Sequence, residues 1–135
     1  MPNHSFPDRS VRTFLAVTAL AIAPSATHGA VARRHAHLVK SEPAANDTTA
    51  AVTAVRLWFD EKIELPLTRI KVVKASGGIV PLGKPAHTGA DEHTPVVSTI
   101  PQALAPGTYE VHWSTAGMDG HAARGTIAFV IKSER

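Results

Sequence analysis

The chain has 135 residues, a formal net charge of +3, 19% charged and 44% hydrophobic residues, and no cysteine. That is room for one small domain with an ordinary globular balance. Basic residues form no long run and few aromatics lie among them, which argues against a nucleic-acid surface despite the basic balance. Without thiolates there can be no disulfide and no blue-copper centre, which needs a Cys ligand.

The first segment reads as a targeting signal. Arg9 and Arg12 precede an apolar run from Thr13 to Ala23, and small residues follow up to Ala30-Val31-Ala32. A basic start, a short apolar stretch and an A-x-A site predict a secretory signal peptide over residues 1–32. The apolar run is too short for a bilayer, which needs about 20 residues. Residues 33–135 are then expected to be an exported domain that is not membrane-embedded. Leaving out Arg9, Arg12 and Asp8, its net charge is +2.

The remaining elements follow in order. Residues 33–42 mix apolar and polar positions, and residues 43–49 are rich in turn formers and predict a loop. From Val52 to Phe59 the pattern alternates, with Val55, Leu57 and Phe59 on one face and Arg56 and Trp58 on the other; this is strand periodicity. Residues 68–74 form a second β-rich run, Ser76-Gly77-Gly78 a turn, and Ile79-Val80 a short returning strand. Residues 81–94 show no period and predict a loop, and residues 95–100 a strand. After the turn Ala105-Pro106-Gly107, Tyr109, Val111 and Trp113 alternate with Glu110, His112 and Ser114, which marks the two aromatics as core residues. Residues 116–121 predict a loop and residues 125–132 a last strand, with Ile127, Phe129 and Ile131 on one face. No helical stretch follows the leader. Some seven short strands in ~100 residues predict an all-β fold, a β-sandwich or Greek-key barrel.

Six His remain beyond the leader: His35, His37, His87, His93, His112 and His121. His112 falls on the outward face of its strand. His87 and His93 sit in the polar loop as weak candidates. Two pairs have better spacing. His35 and His37 are one residue apart, so in an extended chain both project from the same side. Asp119 and His121 flank Gly120 in a loop between strands. Imidazole with carboxylate suits Cu(II), Zn(II) or Ni(II), although Asp-Gly is also an ordinary turn dipeptide.

Four blocks together resemble the CopC family of copper-resistance proteins: His35-Ala-His-Leu-Val-Lys-Ser-Glu-Pro-Ala44, Leu57-Trp-Phe-Asp-Glu61, Leu104-Ala-Pro-Gly-Thr-Tyr-Glu-Val-His-Trp113, and Asp119-Gly-His121 followed by Gly125 and a closing strand. The resemblance spans residues 35–132, with the blocks in family order. It implies a seven-stranded Greek-key β-sandwich of immunoglobulin-like or cupredoxin-like type, exported to the periplasm and binding Cu(II). The family's ligand positions fall on His35, Asp119 and His121, with His35 contributing both its amine and its ring as the first residue of the mature chain. The family's neighbouring Glu falls on Glu61, as an outer partner or weak ligand. A Met-rich Cu(I) site found in some members is not expected, because the chain has only Met1 and Met118, and Met118 is expected to pack in the core or loop.

The leader and the ligand set pull apart at one point. Cleavage after Ala32 leaves Arg33 and Arg34 ahead of His35. Either these are trimmed, or cleavage falls directly before His35, or the chain Arg33-Arg34-His35 binds metal with His in third place. In that last case the amine, two deprotonated amides and the imidazole close a square plane. A chain starting at His35 again has a third-place His, His37. The expected function is a copper carrier or buffer that is not an enzyme, serving a separate CopD-like membrane transporter. The rivals are a copper-dependent oxidative enzyme, which the few aromatics disfavour, and a structural β-sandwich with incidental His.

Overall fold

The apolar–polar alternation builds two sheets that face each other across one core. A computed structural model of the chain describes residues 35–91 and 93–133; the expected leader lies outside the described residues. The strands are β1 Leu38–Glu42, β2 Asp47–Thr49, β3 Ala54–Phe59, β4 Arg69–Lys74, β5 Ile79–Val80, β6 Ala86–His87, β7 Val96–Thr99, β8 Gly107–Ala116 and β9 Ala122–Ile131. The one helical element among the described residues is a 3₁₀ turn at Leu65–Leu67. One sheet runs β1-β3-β7-β6 and the other β2-β9-β8-β4-β5. Successive strands repeatedly change sheet, the connectivity of a Greek-key sandwich. Seven strands have three residues or more, and β5 and β6 add two-residue strands at the sheet edges, so the expected count of seven is approximate.

The core is the set of inward positions that the alternation predicts. Val55, Leu57 and Phe59 of β3 meet Tyr109, Val111 and Trp113 of β8 and Ile127, Phe129 and Ile131 of β9, all buried. Burying each large apolar side chain stabilises the fold by about 1.5–3 kcal/mol, and without disulfides this packing carries the domain. The Tyr109 and Phe129 rings stack at 5.5 Å, and Phe59 meets Trp113 edge-on at 5.3 Å. The Tyr109 hydroxyl donates to the Ala105 carbonyl at 2.7 Å, so its polar end is satisfied at the turn. Trp113 lies under Gly125: a Cβ there would come within 2.7 Å of the indole.

Two segments read as loops contain strands. Within residues 43–49, β2 pairs in parallel with β9, from Asp47↔Phe129 to Thr49↔Ile131. Asn46 turns the chain into it at φ +61°, a left-handed conformation that Asn tolerates, and its N–H donates to the Ala128 carbonyl at 2.7 Å. Within residues 81–94, β6 pairs with β7. Neither run has an apolar period, because each is an edge strand held by backbone bonds to a neighbour.

Candidate metal centre

The longest ladder among the described residues sets up the site. β8 and β9 pair from Gly107↔Ile131 to Ala116↔Ala122, which leaves residues 117–121 as a tight loop at one end of the sandwich. The Gly117 N–H donates to the His121 carbonyl at 3.0 Å, and the Gly120 N–H to the Gly117 carbonyl at 2.9 Å. Gly120 sits at φ +82°, which favours glycine. Asp119-Gly120 is therefore a turn, and that turn is what aims the candidate ligands.

Asp119 holds His121 twice. Its Oδ1 accepts the His121 backbone N–H at 3.0 Å, and its Oδ2 lies 2.7 Å from His121 Nδ1. An ionised carboxylate only accepts hydrogen bonds, so Nδ1 carries the proton and Nε2 keeps the free lone pair. The bond from the His121 backbone N–H, then the bond from its ring, hold the Asp119 carboxyl below the usual carboxylate range; partial desolvation opposes this, and His121 and His35 add to it only when they carry a proton on both ring nitrogens.

His35 reaches the loop from the other sheet's side. Its ring meets that of His121 edge-on, with centroids 4.9 Å apart. Between His35 and β1, Ala36 is 3% exposed and anchors the segment in the core. His37 does not share the partner of His35. Its backbone N–H donates to Asp60 Oδ1 at 2.7 Å, its Nδ1 lies 3.1 Å from Asp60 Oδ2, and its carbonyl accepts the Asp60 N–H at 3.0 Å. His35 and His37 are both exposed on either side of buried Ala36, and they differ in partner: His35 meets His121, and His37 meets Asp60.

Glu61 is brought in by the segment that follows β3. Ile63 bridges Gly117, the Glu64 N–H donates to the Ala116 carbonyl at 2.8 Å, and the Met118 N–H to the Lys62 carbonyl at 3.3 Å. Buried Thr68 and Thr115 join their hydroxyls at 2.8 Å below it. The carboxylate of Glu61 then fills the space that a side chain at Gly117 would occupy, with Asp119 Oδ1 beside the same point. Glu61 Oε1 is buried and has no hydrogen-bond partner among the described residues.

His35, Glu61, Asp119 and His121 are therefore neighbours at one end of the fold. Among the described residues no three His, Asp or Glu side chains already form a metal-holding group, so this is a set of adjacent donors rather than a closed ligand shell. Met118 is 55% exposed on the loop and is not a core residue. His112 is exposed and hydrogen-bonds Glu110 at 3.0 Å, far along β8 from the loop. His87 lies on β6 beside a cavity of about 360 Å³ lined by Lys62, Gly89, Ala90 and Asp91. Asp60 lies inside the Leu57–Glu61 block without being marked there as a functional residue, and Gly117 lies in no block. Their parts, holding His37 and making room for Glu61, are visible only in three dimensions.

Comparison with known proteins identifies the family of the chain. The CopC domain model matches residues 38–132. Protein YobA of Escherichia coli (strain K12) is 32% identical over 126 residues, covering 92% of this chain and 96% of that protein. Copper resistance protein C of Xanthomonas campestris pv. juglandis is 30% identical over 131 residues, covering 94% and 99%. The crystal structure of PcoC, a methionine-rich copper resistance protein from Escherichia coli, superposes with a TM-score of 0.65 at 29% identity, covering 73% of this chain and all of that one. A domain match over most of the chain, and relatives aligned almost end to end, establish that the chain belongs to the CopC family.

Proposed function

We propose that this protein binds Cu(II) in the periplasm as cargo, buffering it or handing it to a separate, CopD-like membrane transporter. One observation carries the reading: the His35 ring faces His121, whose Nε2 is left free by the Asp119 bond, beside a buried Glu61 oxygen that has no partner among the described residues. Nitrogen donors with a carboxylate suit Cu(II), whereas Cu(I) prefers soft thioether sulfur. The names of the relatives, copper resistance protein C and PcoC, point to the same metal.

The residues divide the work as follows. His35 and His121 supply imidazole nitrogen. Asp119 fixes the tautomer of His121 and offsets metal charge. Removal of the leader and of Arg33 and Arg34 places a free amine at His35, and that amine is a copper donor, with Glu61 as an outer partner of the site. Intact mass of the exported protein tests this start: a first residue of His35 is expected, and a final Arg33 overturns the amine's role.

A carrier rather than an enzyme is supported by the aromatics. Phe59, Tyr109, Trp113 and Phe129 are buried, and Trp58 is half-buried with Lys40 Nζ 4.2 Å from its ring centre, so none offers a flat platform for a polymeric substrate. No helix among the described residues is long and apolar enough to cross a membrane. The deciding experiment is a competition titration of His121→Ala with Cu(II). Loss beyond the roughly 10–100-fold typical of a residue that only orients a ligand is expected, with the fold intact. Undiminished affinity overturns the reading.

A further inference from the structure

The segment His35-Ala36-His37 offers copper two arrangements that exclude each other, because both use the amine of residue 35. In one, the amine and the His35 ring join His121 and Asp119 across the sandwich. In the other, the amine, the deprotonated amides of Ala36 and His37, and the His37 ring close a square plane within three residues. The local chelate has the entropic advantage, since its donors are consecutive in the chain and need no folded partner.

Asp60 occupies the groups that the local chelate requires. One carboxylate oxygen takes the His37 backbone N–H, the proton that the metal must displace. The other takes His37 Nδ1, the ring nitrogen within reach of that same amide for a chelate ring. The reciprocal bond from the Asp60 N–H to the His37 carbonyl fixes the peptide's orientation, and Ala36 is packed in the core on the other side. A carboxylate beside the amide also opposes the negative charge that amide deprotonation creates.

We propose that Asp60 is a positioning residue that selects the copper geometry: by holding His37 it bars the three-residue chelate and reserves the amine and ring of residue 35 for His121 and Asp119. This rests on the proposed start at His35.

Ni(II) is the sharper probe, because it becomes low-spin and yellow only when deprotonated amides complete a square plane. With protein whose first residue is shown by mass to be His35, folded wild type is expected to give no yellow complex. Asp60→Ala is expected to give it, together with a four-nitrogen Cu(II) electron paramagnetic resonance signature. Asp60→Ala with His37→Ala is expected to lose both again. Since Asp60→Ala also removes an anchor at the end of β3, wild type in urea is the second arm: unfolding should release the yellow complex and refolding abolish it. The proposal is overturned if folded wild type turns yellow as fully as the unfolded chain, if the unfolded chain never does, or if folded Asp60→Ala keeps the wild-type spectra. None of these outcomes touches the His121→Ala titration, so the copper reading stands or falls separately.

Discussion

Asp119 grips His121 through both carboxylate oxygens, at 3.0 Å to the backbone N–H and 2.7 Å to ring Nδ1. The carboxylate is therefore an orienting group before any metal arrives, and it dictates which nitrogen of His121 is free.

Asp119→Asn separates orientation from bulk. The amide can accept from the His121 backbone through its oxygen, but its NH₂ then faces Nδ1 and demands the tautomer with Nε2 protonated. Cu(II) affinity is expected to fall about 10–100-fold by competition titration, with thermal stability nearly unchanged. Unchanged affinity would remove Asp119 from the site.

Gly117→Ala places a methyl where Glu61 Oε1 now sits, with Asp119 Oδ1 at 3.1 Å from the same point. The nearer atom is the end of a flexible side chain, so the fold is expected to survive while Glu61 swings away. The expected result is weaker copper binding with little loss of stability. A large drop in the urea midpoint instead would show that the loop cannot yield.

Gly125→Ala makes the opposite pattern. Its methyl would lie 2.7–2.9 Å from three atoms of the buried Trp113 indole, which is hemmed in by Phe59. Overpacking of this kind costs about 1–3 kcal/mol. Chemical denaturation should show that loss, and any folded fraction should titrate copper as wild type does.

Acid sensitivity follows from two carboxylates. Hydrogen bonds from the His37 backbone and ring hold the Asp60 carboxyl below its usual range, as those from His121 do for Asp119. For a lowered pKa the unfolded chain binds more protons within the window, so stability rises with pH there. The contribution is present above the ordinary Asp range near pH 4 and is lost as pH falls through the lower folded values. Urea midpoints measured from pH 6 to pH 2.5 should fall less steeply in Asp60→Asn/Asp119→Asn than in wild type. Parallel curves would count against this assignment.

Legibility varied with the kind of interaction. β3, β8 and β9 were readable because an inward face packed on a core demands period-two alternation, and Leu57, Val111 and Phe129 obey it. β2 was not, because Asp47, Thr48 and Thr49 are polar and join the sheet through backbone bonds that leave no trace in side-chain type. Met118 looked packable by its chemistry and is exposed, since it lies in the loop beyond the last pair of the β8–β9 ladder.

The sequence by itself determined the sandwich class, the inward faces and the Asp119-Gly120-His121 turn, all of which depend on neighbours along the chain. Only the tertiary structure decided which histidine of His35-Ala36-His37 faces His121. Spacing makes the two equivalent; they differ because Asp60, at the end of β3, holds one and leaves the other to cross toward the β8–β9 loop. Likewise Glu61 enters the site because Ile63 bridges Gly117, a contact between residues more than fifty positions apart that no local pattern encodes.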